Sequence, residues 1–151
     1  MKVRICSRDE VETLLKNDFP ENVAVISFYD PPYRGVVMNP VDYSSKTNRV
    51  FYVAVHDIDI DILSDYGLTF DTYFPEANSL AEFICSAEKD GLDIICQCEY
   101  GQSRSAGCAA AILEYFNNNG ISIFANYKYY PNQLIFNKLF DALKGVKNNE
   151  R

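Results

Sequence analysis

Leu92-Asp93-Ile94-Ile95-Cys96-Gln97-Cys98-Glu99-Tyr100-Gly101-Gln102-Ser103-Arg104-Ser105-Ala106-Gly107 is the stretch that decides the fold. Leu92 to Cys98 reads as a buried strand, and Ala106 to Phe116 reads as a strong helix. Between them lies a short loop whose glycine permits a tight turn. A buried strand, a tight loop and a helix opening at the loop's end form one half of a βαβ unit. Asn117 to Gly120 is a stop signal for the helix.

Working outward, the flanks repeat the alternation. Val50 to Val55 and Val23 to Tyr29 read as further buried strands, the second stopped by Asp30-Pro31-Pro32. Lys2 to Cys6 alternates like a short strand. Ser7 with Glu10 three residues on is a capping box, opening a helix with Val11, Leu14 and Leu15 on one face. Leu80, Phe83, Ile84 and Ala87 fall at helical spacing and Gly91 closes that helix. Pro131 opens a last helix carrying Phe136, Leu139, Phe140 and Leu143. Arg34 to Asn48 reads as an exposed connection, and the acidic segment His56 to Asp71 as a long loop. With no repeat, linker or low-complexity tract, residues 1–151 are expected to form a single α/β domain: a central, mostly parallel sheet flanked by helices.

Composition bounds the partners. The 151 residues are 48% hydrophobic and 14% aromatic, enough to build a core without disulfides or metal. A formal net charge of −7 makes nucleic acid and anionic membranes poor partners. Neither a signal pattern nor an apolar run long enough to span a bilayer is present, so a cytoplasmic location is expected. The five cysteines (Cys6, Cys85, Cys96, Cys98 and Cys108) are odd in number and sit in apolar contexts, so reduced thiols are expected. Cys6, Cys85 and Cys108 read as core. Cys96 is either core or a redox partner of Cys98 on the same strand face. His56 is the only histidine, which argues against a histidine-based metal site.

The chemistry concentrates in the loop. In an open α/β sheet ligands sit at the carboxyl ends of the strands, where Cys98 falls. Inward-turned amides of Glu99, Tyr100, Gly101, Gln102 and Ser103, with the positive end of the following helix, would cradle an anion. Arg104 adds a planar fork that can hold two oxygens of one phosphate. The same positive field favours the thiolate of Cys98, the nucleophilic form.

Cys98, five residues, Arg104 and then Ser105, with glycine at the third position, resembles the signature loop of the protein tyrosine phosphatase superfamily. The Ser-Arg-Ser-Ala-Gly run and the late Tyr130-Pro131-Asn132 resemble its small dual-specificity-like members, bacterial ones especially. The resemblance covers the chain from about Val50 onward. It implies a phosphomonoester hydrolase of the protein tyrosine or dual-specificity kind, with phosphorylated protein or a small phosphomonoester as substrate. Phosphate, sulfate or vanadate would bind in the loop, and no metal or organic cofactor is implied. Cys98 would form a phosphocysteine, Arg104 and the loop amides would hold the phosphate oxygens, and Ser105 would assist the departing thiolate. An aspartate on the loop after the preceding strand would be the general acid. Asp57 matches best in position, with Asp59 and Asp61 as alternatives and Asp65 further along the same loop.

One position departs from the family pattern. Histidine usually precedes the nucleophile, and Gln97 stands here, able to replace hydrogen bonds but not charge. That departure motivates an alternative, a phosphate-binding module with weak or no turnover. Sulfurtransferases place the arginine differently, and an arsenate reductase would want resolving cysteines nearby, for which only Cys96 offers itself. Tyr127, Tyr129 and Tyr130 either line a substrate cleft or form a packing cluster. Asn132 caps the last helix or braces the loops around the site.

Overall fold

A computed structural model of the chain describes residues 1–149, with side chains through Val146. Four strands, β1 (Val3–Cys6), β2 (Val23–Tyr29), β3 (Val50–Ala54) and β4 (Asp93–Gln97), form one sheet. Their order is β1-β4-β2-β3, and every neighbouring pair is parallel. Parallel strands need crossover connections, which is why the helices fall between them. The helices are α1 (Arg8–Lys16), α2 (Ala77–Lys89), α3 (Arg104–Asn117), the single turn α4 (Ile121–Phe124) and α5 (Gln133–Asn149).

Both faces of the sheet are covered, so β2 is apolar almost throughout. Alternation along the strands divides the core in two. Ala24, Ile26, Phe28, Ile94 and Cys96 join α2, α3 and α5, with Leu80, Ile84, Ile112, Ile135 and Leu139 fully enclosed. Val23, Val25 and Ile95 face the other way, against Val11 of α1 and Val41 and Tyr43 of the connection after β2. The capping box at Ser7 is present with both of its hydrogen bonds. Asn132 caps α5, its Oδ1 accepting from the Ile135 N–H at 2.9 Å.

Two expectations need correction. The segment after β3 is not all loop, because Ile60–Tyr66 forms a 3-10 helix with Leu63 buried beneath it. Its apolar residues were too closely mixed with aspartates to show a periodicity, and Gly67 ends it in a left-handed conformation. The stop signal at Asn117–Gly120 holds, α3 ending at Asn117, and the short helix α4 follows it. Cys85 is only half-buried, whereas Cys6 and Cys108 are in the core. No helix among the described residues is long and apolar enough to cross a membrane.

Candidate active site

The four strands deliver their following residues to one edge of the sheet. Ser7 follows β1, Asp30 follows β2, Val55 to Asp57 follow β3, and Cys98 follows β4. This is the edge at which parallel sheets place ligands.

The loop 98–103 is tied down from outside through its carbonyls. Glu99 O accepts from the Arg8 N–H at 3.1 Å, Gln102 O from Tyr130 at 2.8 Å and Ser103 O from Asn132 at 3.0 Å. In a trans peptide the N–H points opposite to the C=O. The N–H groups of Tyr100, Ser103 and Arg104 therefore point away from these anchors. Gly101 makes the turn possible, with φ +67° in the left-handed region. A Cβ there would sit 2.6 Å from Ser7 N and 2.9 Å from Cys6 C, so the loop packs against the end of β1 with no room to spare. Gly107 likewise lets α3 approach the start of α5, where a Cβ would lie 2.5 Å from Asn132 O.

Cys98 and Ser105 meet inside this curl, Sγ to Oγ at 3.0 Å, both nearly fully buried. Arg104 opens α3 and is 5% exposed. Its Nη1 donates to Asp30 Oδ1 at 2.7 Å and to Val55 O at 2.8 Å, while its Nε is buried without a hydrogen-bond partner. A buried guanidinium N–H without an acceptor is costly, and an anion in the curl is the group that would satisfy it. Asp30 was not expected from sequence, where it read only as a strand stop. An aspartate before two prolines carries no local sign that it will meet an arginine 74 positions away.

Asp57 is the acidic residue the structure brings to the loop. Its Oδ1 accepts from Ser103 Oγ at 2.6 Å and from Asn132 Nδ2 at 3.0 Å. Asn132 Nδ2 also reaches Ile58 O and the Tyr73 hydroxyl, both at 3.3 Å, and Tyr73 in turn donates to His56 O at 2.6 Å. Asn132 thus both caps α5 and braces the loops. Asp57, Cys98, Tyr100, Gln102, Ser103, Arg104 and Tyr130 line one cavity of about 270 Å³. Asp59, Asp61 and Asp65 are exposed along the 3-10 helix and are not among its lining residues. Of the tyrosines in the late loop, Tyr130 joins the cavity, while Tyr127 is 99% exposed.

Gln97 lies on the other face of the sheet from Cys98. Its Oε1 accepts from Ser27 Oγ at 2.6 Å and from the Tyr43 hydroxyl at 2.9 Å. Ser27 is its register partner on β2, so the pair is a cross-strand polar contact sealed by Tyr43. All three are essentially buried, and burial pushes the Tyr43 phenol well above its ordinary range. The amide is therefore a fixed, neutral anchor at the root of the loop. Cys96 faces α3, with its Sγ 3.7 Å from Cys108 Sγ, and burial pushes its thiol up. Its nearest sulfur partner is thus the helix cysteine.

No protein-family model matches the chain, and no curated protein resembles it in sequence. Its fold does have relatives among solved structures. PTPMT1 in complex with PI(5)P superposes with a TM-score of 0.56 at 16% identity, over 99% of this chain and 95% of that one. The human tyrosine phosphatase-like serine/threonine/tyrosine-interacting protein gives 0.54 at 14%, over 94% and 87%. Human DUSP28 gives 0.52 at 16%, over 97% and 94%. At these identities the likeness is one of fold.

Proposed function

Starting from a chain that has the fold of the small dual-specificity-like cysteine phosphatases, we propose that it hydrolyses phosphomonoesters through a phosphocysteine on Cys98. One observation carries the reading. Thiol, buried arginine with a free N–H, hydroxyl and carboxylate converge on one small cavity at the carboxyl edge of the sheet.

In the first step the Cys98 thiolate attacks phosphorus, and the bond to the alcohol oxygen breaks. The loop amides and the free edge of Arg104 hold the oxygens on which charge accumulates. Asp57 gives its proton to the departing oxygen. Ser103 and Asn132 both donate to Oδ1, so Oδ2 is the oxygen left to carry that proton. In the second step water attacks the phosphocysteine, Asp57 takes a proton from it, and the sulfur–phosphorus bond breaks. Ser105 donates to the leaving thiolate at the distance it already keeps, 3.0 Å. No step calls for a metal or organic cofactor. Phosphorylated protein and small phosphomonoesters are both admissible substrates.

A second reading, an anion-binding module without turnover, is favoured by Gln97, which is neutral and locked by two hydroxyls. Release of p-nitrophenol from p-nitrophenyl phosphate, with vanadate binding measured in parallel, separates the two. Turnover in the wild type that disappears in Cys98→Ser supports the enzyme. Vanadate binding without turnover supports the module.

A further inference from the structure

The cavity at Cys98 does not end at the loop. Asp57, Tyr100 and Arg104 line it and also line a second, larger cavity of about 520 Å³. One wall of that cavity is aromatic. Tyr33 and Tyr66 stack with ring centres 5.1 Å apart, and His56 lies 4.6 Å from Tyr66 and 5.3 Å from Tyr33. Tyr33 comes from the connection after β2, and His56 and Tyr66 from the one after β3, Tyr66 ending its 3-10 helix; none belongs to the signature. Tyr33 is held by a tight two-residue turn, its N–H and C=O both paired with Val36 at 3.0 Å. Arg34 and Gly35 within that turn take φ +50° and +80°, the pattern of a type I′ hairpin. Such a turn fixes the ring's position with little freedom, and Arg34 lies over its face at 5.0 Å.

Apart from Arg34, which lies over the Tyr33 ring, charge inside the cavity is already engaged. Asp30 is paired with Arg104, Asp57 with Ser103 and Asn132, and burial holds His56 toward its neutral form. What remains to recognise a ligand is flat and mostly apolar, with Pro31, Val36, Met38 and Ile58 beside the rings. Size decides the rest. Benzene fits a cavity of about 150 Å³, so a single phenyl ring fills less than a third of the 520 Å³ here. Asp57 stands at the junction of the two cavities, where the bridging oxygen of an ester spanning them would lie.

We propose that this second cavity receives the alcohol portion of the phosphomonoester and that Tyr33, His56 and Tyr66 make it select an extended aromatic alcohol, of two fused rings or more, over alkyl chains and over a lone phenyl ring. This rests on the phosphatase reading above and adds the specificity determinant. The step at phosphorus is unchanged; only the leaving group is specified.

The test compares 2-naphthyl phosphate, phenyl phosphate and β-glycerophosphate as substrates of the wild type, Tyr33→Ala and Tyr66→Ala. The two phenols are close in acidity, so a difference between them reports the fit of the ring system. The expected kcat/KM favours 2-naphthyl over phenyl phosphate by about tenfold, equivalent to about 1.4 kcal/mol, with β-glycerophosphate slowest. Tyr33 is half-buried and lies outside both core clusters, so its truncation leaves the fold intact, and in Tyr33→Ala the ratio falls to near one. Equal specificity constants for the two aryl esters in the wild type overturn the inference, as does a ratio that survives both substitutions. If no ester is turned over, the phosphatase reading fails separately. Calorimetric binding of the same two esters to Cys98→Ser then decides: tighter binding of the naphthyl ester sustains the subsite, and equal affinities overturn it.

Discussion

Lysine in place of Arg104 keeps the charge and removes the fork, which makes it a sharp probe of the loop. In the structure Nη1 is committed to Asp30 and to the Val55 carbonyl, at 2.7 and 2.8 Å, while Nε is buried and unpaired. A lysine has one terminal nitrogen and must serve either the Asp30 side or the anion. Losing one preorganised donor to a developing oxyanion typically lowers kcat by about 10²–10³-fold, or about 2.7–4 kcal/mol. We expect Arg104→Lys to fall in that range. The effect on folding is smaller. Asp30 is 47% exposed and remains hydrated when its partner turns away. The loss is then about two neutralised hydrogen bonds, roughly 1–3 kcal/mol in all. Steady-state hydrolysis of p-nitrophenyl phosphate, with thermal unfolding of the same preparation, reads both effects. A folded Arg104→Lys protein with kcat within about threefold of wild type, where the transition-state loss is under about 1 kcal/mol, would refute the reasoning.

Further outcomes can be checked with the same protein. Asp57→Asn slows esters with poor leaving groups by about 10²-fold or more, in the range of general acid catalysis, and affects activated aryl esters far less; the same pattern in Asp59→Asn instead would move the acid. Gly101→Ala meets backbone at 2.6 Å and a left-handed φ of +67°. It costs about 2–5 kcal/mol, combining the left-handed penalty with overpacking, and appears as a clear drop in Tm. At alkaline pH the fold weakens through its buried acids. Burial pushes the Cys6 thiol from 9.0 up to about 11, and it pushes the Tyr43 and Tyr73 phenols up as well. The unfolded chain releases these protons first, so this stability is complete below pH 9 and is lost as pH rises through the folded values. Urea midpoints from pH 8 to 11 should fall, and a flat profile would contradict the burial of these groups.

How much of this was legible beforehand depends on whether the signal was local. The β4–loop–α3 unit carries its own pattern: an apolar run, a glycine, then small helix formers, so Cys98, Arg104 and Ser105 could be placed from sequence. Asp57 was reachable because it follows an apolar strand directly, and the structure brings it, rather than Asp59 or Asp61, to the loop. Asn132 was half-legible, since capping is local but its reach to Asp57 is not. Asp30 and Tyr43 were illegible as site residues because their partners, Arg104 and Gln97, are 74 and 54 positions away. The aromatic wall of Tyr33, His56 and Tyr66 failed for the same reason, because two connections with no clear periodicity meet only once the sheet is ordered. Cys96 read as core or as a redox partner of Cys98, and it is core, but strand periodicity says nothing about which helix residue packs on that face, and Cys108 does.

The most direct measurement is rapid acid quench of the wild type during turnover of a phosphorus-labelled aryl phosphate, followed by peptide mapping. The account predicts label on the peptide containing Cys98, enriched when Asp57→Asn slows release, and absent in Cys98→Ser. Turnover with no label on that peptide in either active protein would contradict a phosphocysteine, and with it the central claim.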